Sequence, residues 1–286
     1  MPENLYEVPK EKVRIDAIES YIAVGQNKKL IEIGADGKVK YIAQNKRYDF
    51  RGPEEKVRAS FYVELVEKYK YQPNRLEVEV IVPRRKPEDK ADIVVYEDEE
   101  RKKPYIVVEC KKDGISKAEI NQAVEQTFGN ANSLRAKYAI LVAGNVRIAF
   151  DVAGFKPSER QKNIIADIPI RYSKVIQYKY KKGDPDWDPR EADRNEVLAK
   201  FQQCHDILWE GGKRNPAEAF DEMSKLMFCK IHDERFITKI GEYYRFQIGT
   251  HENIREVTDR VKQIYKDAQD REPGVFTEPI KAEDTL

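Results

Sequence analysis

The stretch ADIVVYEDEERKKPYIVVECKK, residues 91–112, contains two apolar β-type runs with charge at their ends. Asp92 opens the first run, Glu109 and Lys111 close the second, and the charged segment EDEERKK separates them. An antiparallel hairpin turning near Glu100 and Arg101 sets Tyr96 opposite Tyr105, Val94 opposite Val107 and Asp92 opposite Glu109. Side chains alternate faces along a strand, so these pairs share one face, and Lys111 falls on it too. The other face holds Ile93, Val95, Ile106, Val108 and Cys110, all suited to a core. Two carboxylates set opposite each other repel unless positive charge lies between them. Mg²⁺, with Mn²⁺ as the expected substitute, takes carboxylate oxygens, keeps waters and bridges to phosphate. A lysine beside it holds an attacking water and stabilises charge building on a phosphoryl oxygen. These residues suit phosphodiester cleavage. The plainer reading is a hairpin whose end charges face water.

Outward from the hairpin, helical and strand patterns alternate. PEEKVRASFYVELVEKY (53–69) opens with Pro53 at a first helical position and acids in its first turn. RLEVEVIVP (75–83) alternates as a strand, and SKAEINQAVEQTFGNANSL reads as a helix with Ser116 and Glu119 spaced as a capping box. YAILVAGNVRIAFDV (138–152) is two strands about a tight turn at Gly144 and Asn145. The expected class is an α/β core, a mixed sheet flanked by helices, over residues 1–180. KKGDPDWDPREAD breaks the pattern, so 181–195 reads as a linker, and 196–286 reads as an all-α domain. In that domain the apolar stripes are Val197, Phe201, Cys204 and Leu208; then Phe220, Met223, Met227 and Ile231; then Ile254, Val257, Val261 and Ile264.

The 286 residues, 40% hydrophobic and 36% charged, suit a globular protein with a real core. No apolar run reaches bilayer length and the N-terminus lacks an apolar signal core, so the expected location is the cytoplasm, with no membrane partner. The net charge of +1 does not by itself indicate a polyanion partner. Basic residues cluster locally, however, in PRRK, RKK and YKYKK, and local clusters suit phosphate contacts. Cys204, His205, Cys229, His232 and His251 form no usual zinc pattern. Cys204 and Cys229 read as small core residues on apolar helix faces, and Cys110 as packing. The aromatic–basic runs YKYKK and GEYYRF suit either nucleic-acid contact or ordinary packing of tyrosines, the latter being preferred.

Asp92 followed by Glu109-Cys110-Lys111 at a strand end resembles the PD-(D/E)XK nuclease motif. The wider pattern RGPEEKVR, ADIVVY, PYIVVECK, QAVEQ and AN resembles the N-terminal nuclease domain of type I restriction enzyme R subunits over roughly residues 45–152. The resemblance implies a restriction-endonuclease-like fold and a Mg²⁺-dependent endonuclease acting on double-stranded DNA. It assigns metal binding to Asp92, Glu109 and the Cys110 backbone carbonyl, water activation to Lys111, and a further role at the site to Gln126. A helix carboxylate falls on Glu55 or Glu54, Glu55 being preferred, to bind metal or orient a water. Ala91 replaces the proline that names the motif, and Asn130 stands where the family has a tyrosine.

The segment FQQCHDILWEGGKRNPAEAFDEMSKLMFCKIHDER, with FQIGTHEN and VFTEPI, resembles the N-terminal helical domain of type I-like N6-adenine DNA methyltransferases. The catalytic motifs of that family are absent from this sequence. The resemblance implies the front of a fused restriction–modification protein, with methyltransferase and specificity regions elsewhere and possible pairing of two copies on DNA. The alternative is a non-catalytic DNA-binding or assembly module on a nuclease fold.

Overall fold

The computed structural model describes residues 17–83, 89–144, 146–154, 162–185, 187–189, 191–209 and 215–281. Its centre is a six-stranded sheet in the order β4–β5–β6–β7–β8–β9. The strands are β4 (Leu76–Val82), β5 (Asp89–Tyr96), β6 (Pro104–Lys111), β7 (Tyr138–Ala143), β8 (Val146–Asp151) and β9 (Ile164–Ile165). β6 and β7 run parallel and every other neighbouring pair is antiparallel. The parallel step is made by the crossover helix α3 (Lys117–Leu134). Every residue of β7 is buried, as expected for a strand covered on both faces. The sheet is therefore mixed and flanked by helices.

One face packs against helix α2 (Pro53–Glu67), which is backed in turn by α1 (Ala17–Asn27), burying Phe61, Leu65, Ile93, Val95, Ile106, Val108, Cys110 and Ile140 together. The other packs against α3 through Val94, Val107, Phe128, Ala131, Ala139 and Phe150. α2 starts with Pro53 at its first position, and Ser116 caps α3 in a complete capping box with Glu119. A separate antiparallel sheet of β1 (Ile31–Ile33), β2 (Lys38–Tyr41) and β3 (Lys46–Asp49) leads into α2. Gly144 turns the β7–β8 corner with φ +56°, and a Cβ there would strike Asp113. Asn145, the other expected turn residue, lies outside the described residues, as do the arginines of PRRK.

The hairpin register pairs Ile93 with Val108, Val94 with Val107 and Val95 with Ile106, as expected. Its turn end differs. A bulge between Val95 and Tyr96 pairs Tyr96 with Pro104, not Tyr105. The extra residue puts Tyr96 in the α3-side cluster and Tyr105 in the α2-side cluster.

The chain continues into α4 (Arg194–Trp209), α5 (Pro216–His232) and α6 (Ile254–Arg271). The stretch expected as a linker is held by hydrogen bonds. Lys181 bridges to Tyr243, the Lys182 N–H donates to the Glu242 carbonyl, and Tyr244 N–H donates to Tyr180 O. Nearby, Thr250 Oγ1 donates to Ile176 O at 2.5 Å and accepts the Ala166 N–H at 3.0 Å. The tyrosines of YKYKK take part in this seam: Tyr178 donates to Glu252 at 2.8 Å.

The buried face of α5 is not the expected stripe. Met223 is buried, but Phe220 and Ile231 are exposed, while Ala219, Glu222, Lys225 and Cys229 are buried. The face is rotated because Glu222 pairs with Lys225 and the two hold the segment Pro279–Lys281 through backbone bonds. On α4, Leu208 is buried, whereas Val197 and Cys204 are exposed. On α6, Val257, Val261 and Ile264 are buried as expected, and Ile254 is exposed. Among the described residues no helix is long and apolar enough to cross a membrane.

Candidate active site at the β5–β6 strand ends

Asp92 lies one step beyond Ile93–Val108, the last pair of the β5–β6 ladder, opposite Glu109 by register. Its side chain does not simply stand on the face of Val94. Oδ2 accepts the backbone N–H of Cys110 at 2.7 Å, and Oδ1 accepts from Arg58 of α2 at 3.2 Å. A strand N–H points in the plane of the sheet, so the carboxylate sits where the two strands part. The strict alternation expected from sequence fails here for a visible reason. Glu79, at the ladder position opposite Asp92, has φ +54° and drops out of the β4–β5 pairing. Ala91 then packs with Val94 in the α3-side cluster, so alternation breaks at Asp92.

Glu109 is 2% exposed. Its Oε1 accepts from Lys111 Nζ at 2.8 Å, and its Oε2 is buried with no hydrogen-bond partner. Burial, and then the neighbouring Asp92 carboxylate, push Glu109 up to about 8, against the pull of Lys111. Burial likewise pushes Asp92 up to about 6, opposed by Arg58 and the Cys110 N–H. Burial alone would lower the Lys111 ammonium, but the charge and hydrogen bond of Glu109 carry it above its ordinary value. Asp92, Glu109 and Lys111 are thus brought together as electrostatic neighbours. A buried carboxylate oxygen with no donor is costly, and a cation or a donor from a ligand would relieve it.

Glu55 takes a different position. It accepts from Tyr41 Oη at 2.7 Å and from Arg58, and that guanidinium joins it to Asp92. Burial raises its pKa while Arg58 and Tyr41 hold it down. Glu54 stays exposed at the start of α2 and contributes to the field on Lys111. Gln126 Nε2 on α3 donates to Asp89 Oδ1 at 3.3 Å, and Asp89 is among the charges acting on Glu109. Gln126 therefore borders the site without touching Asp92 or Glu109 in the described contacts. Asn130 is fully buried, and neither atom of its amide has a hydrogen-bond partner. Cys110 is buried in the α2-side core, and burial raises its thiol well above the usual range.

Sequence reasoning did not single out Arg58, Glu79 or Asp89. The signal for Arg58 was a lone cation within the apolar run VRASFYVELV, one helical turn after Glu55. Glu79 looked like the polar face of an alternating strand, and nothing local distinguished it.

Among the described residues no three acidic, histidine or cysteine side chains converge as a cation cage. Two carboxylates and a strand-end carbonyl, with waters and a phosphate completing the shell, is the sparser donor set that suits Mg²⁺. The partnerless Oε2 of Glu109 fits that group. In the helical half, Arg245 pairs with Asp267 at 3.4 Å, and Lys213 and Arg214 lie outside the described residues. Cys229 packs between α5 and α6.

Residues 53–169 match the family model of the type I restriction enzyme R protein N terminus. The match takes in α2, the whole six-stranded sheet and α3, and with them Asp92, Glu109, Lys111, Glu55 and Gln126. It supports the nuclease-domain part of the resemblance and leaves the region from α4 onward uncovered. No curated protein sequence matches the chain.

Proposed function

We propose that this chain is the nuclease part of a restriction–modification protein and hydrolyses phosphodiester bonds of double-stranded DNA with Mg²⁺. The observation that carries the reading is Glu109: a buried carboxylate with one oxygen on Lys111 and the other without a partner, beside Asp92 at a strand end.

In this reading Asp92, Glu109 and the Cys110 carbonyl hold the metal. The bound ion supplies Lewis-acid stabilisation of phosphoryl charge and a more acidic water. Lys111 holds the attacking water and offers positive charge to the phosphoryl oxygens as they gain negative charge. Glu55 acts through Arg58 on Asp92, and Gln126, bonded to Asp89, borders the phosphate path. Substrate is double-stranded DNA, gripped in a sequence-independent way by lysines and arginines, so binding weakens as salt rises. The helical region from α4 onward is assigned, on its resemblance to methyltransferase N-terminal domains, to docking of modification and specificity regions and to DNA contact. Two copies acting together would cut both strands, and the place of action is the cytoplasm.

The test is plasmid cleavage with Mg²⁺ by the full chain beside Lys111→Ala. The reading expects nicking or linearisation by the wild type and loss of at least a hundredfold in rate in the variant, with DNA binding little changed. A wild type that binds DNA but leaves the plasmid intact, with or without Mn²⁺, would favour a non-catalytic binding or assembly module.

A further inference from the structure

Arg58 is the least expected charge in the sheet domain. Its guanidinium is held by Glu55, by Glu79 and by Asp92, and it lies 4.9 Å from the centre of the Tyr48 ring. The residue is 6% exposed, so this is a buried cation facing three carboxylates from three different elements. Neutralising Glu55 alone would need one of those contacts. The other two run to residues that face each other across the β4–β5 ladder, Glu79 and Asp92.

The backbone is shaped around the same point. Glu79 occupies a left-handed conformation that a non-glycine residue seldom adopts, and in doing so it leaves the ladder opposite Asp92. The jog gives Arg58 a carboxylate partner, and Lys90 of β5 flanks Glu79 at 3.4 Å. Asp92 is left with one oxygen toward Arg58 and the other fixed on the Cys110 N–H.

We propose that Arg58, anchored by Glu79, is a positioning residue: it fixes the orientation of the Asp92 carboxylate between β5 and β6 and so sets how the site takes its divalent ion. The metal half of this statement rests on the function proposed above, whereas the orientation half stands without it. Arg58 touches neither Glu109 nor Lys111 in the described contacts, and its effect on the site passes through Asp92. The planar fork is needed because Nη1 faces Glu79 and Asp92 while Nη2 faces Glu55, a fixed split that a single ammonium nitrogen does not provide.

The experiment uses the full chain with Glu79→Gln and Arg58→Lys, the first being the milder change because Glu79 is half-buried and leaves the Arg58–Glu55 pair intact. Amide exchange at Cys110 in metal-free protein reads the Asp92 hydrogen bond directly. The expected result is at least a tenfold rise in exchange at Cys110, with Val108 on the same strand unchanged. Calorimetric titration with Mn²⁺ is expected to show about tenfold weaker binding in both variants. Unchanged Cys110 exchange in both variants would overturn the positioning role. So would wild-type Mn²⁺ affinity in both, even with a lowered melting temperature, since Arg58 would then be a structural countercharge only. A wild type that takes up no divalent ion, together with loosened Cys110 exchange in the variants, would overturn the metal half and the proposed function while the orientation role stood.

Discussion

Asp92 Oδ2 accepts the backbone N–H of Cys110 at 2.7 Å, so a carboxylate takes the acceptor position where the β5–β6 ladder runs out. That one bond explains two features at once. It keeps the strand-end N–H satisfied inside the protein, and it brings the carboxylate of Asp92 within the field of Glu109.

Divalent ions should stabilise the chain through this pair. At a hundred times the dissociation constant a site present only in the folded state adds about 2.7 kcal/mol. We expect Mg²⁺ or Mn²⁺ to raise the melting temperature of the wild type and to leave Asp92→Asn unmoved. Equal shifts in the two proteins, measured by calorimetry, would place the metal elsewhere.

Glu109→Gln should act in opposite directions with and without metal. The amide keeps an oxygen for Lys111 and offers an N–H in place of the partnerless Oε2. Replacing a carboxyl whose ionisation burial and Asp92 oppose should therefore stabilise the metal-free chain at neutral pH by about 1 kcal/mol. Urea unfolding in chelator checks the first part. The loss of any metal-dependent gain in the same variant checks the second.

His232, 5% exposed and packed 5.5 Å from the ring of Phe236, supplies a pH dependence in the helical half. Burial lowers its pKa, with Arg271 acting the same way and Asp267, Asp233 and Glu272 opposing. A histidine whose folded pKa lies below its unfolded value binds fewer protons when folded. Its contribution is present above the unfolded value near 6.5 and is lost as pH falls through the folded one. Stability should thus drop on acidification below about 6.5, and His232→Gln should flatten that slope in unfolding curves taken from pH 7 to pH 5.

The seam between the sheet and the helices should depend on Thr250. Its hydroxyl serves both Ile176 and Ala166. Thr250→Val keeps the shape and removes both bonds, at an expected cost of about 2 kcal/mol. We expect a lowered denaturant midpoint together with faster proteolysis within residues 176–185. A midpoint equal to wild type would mean the seam adds nothing to stability.

Much of the architecture could be read from local signals. The apolar runs of β5, β6 and β7 and the Ser116–Glu119 box each depend on residues within a few positions of one another. Strand period, capping and helix starts are short-range physics, and so the hairpin register over Ile93, Val94 and Val95 was legible, whereas the bulge at Tyr96 and the turn of the Asp92 side chain to the Cys110 N–H were not. The α5 stripe was not. Its periodicity allowed several faces, and the Glu222–Lys225 contact with Pro279 and Lys281 selected one of them.

Short-range periodicity therefore sets the strands, the crossover helix and the β5–β6 register over Ile93, Val94 and Val95, because any short segment carries it. Packing between distant elements placed Arg58 against Asp92 and Glu79, turned Glu55 to Tyr41 and Arg58, and stapled residues 176–182 to the helical half. A buried charge has no local preference for its partner. It is settled by which carboxylates the packed elements leave within hydrogen-bond reach once water has been excluded.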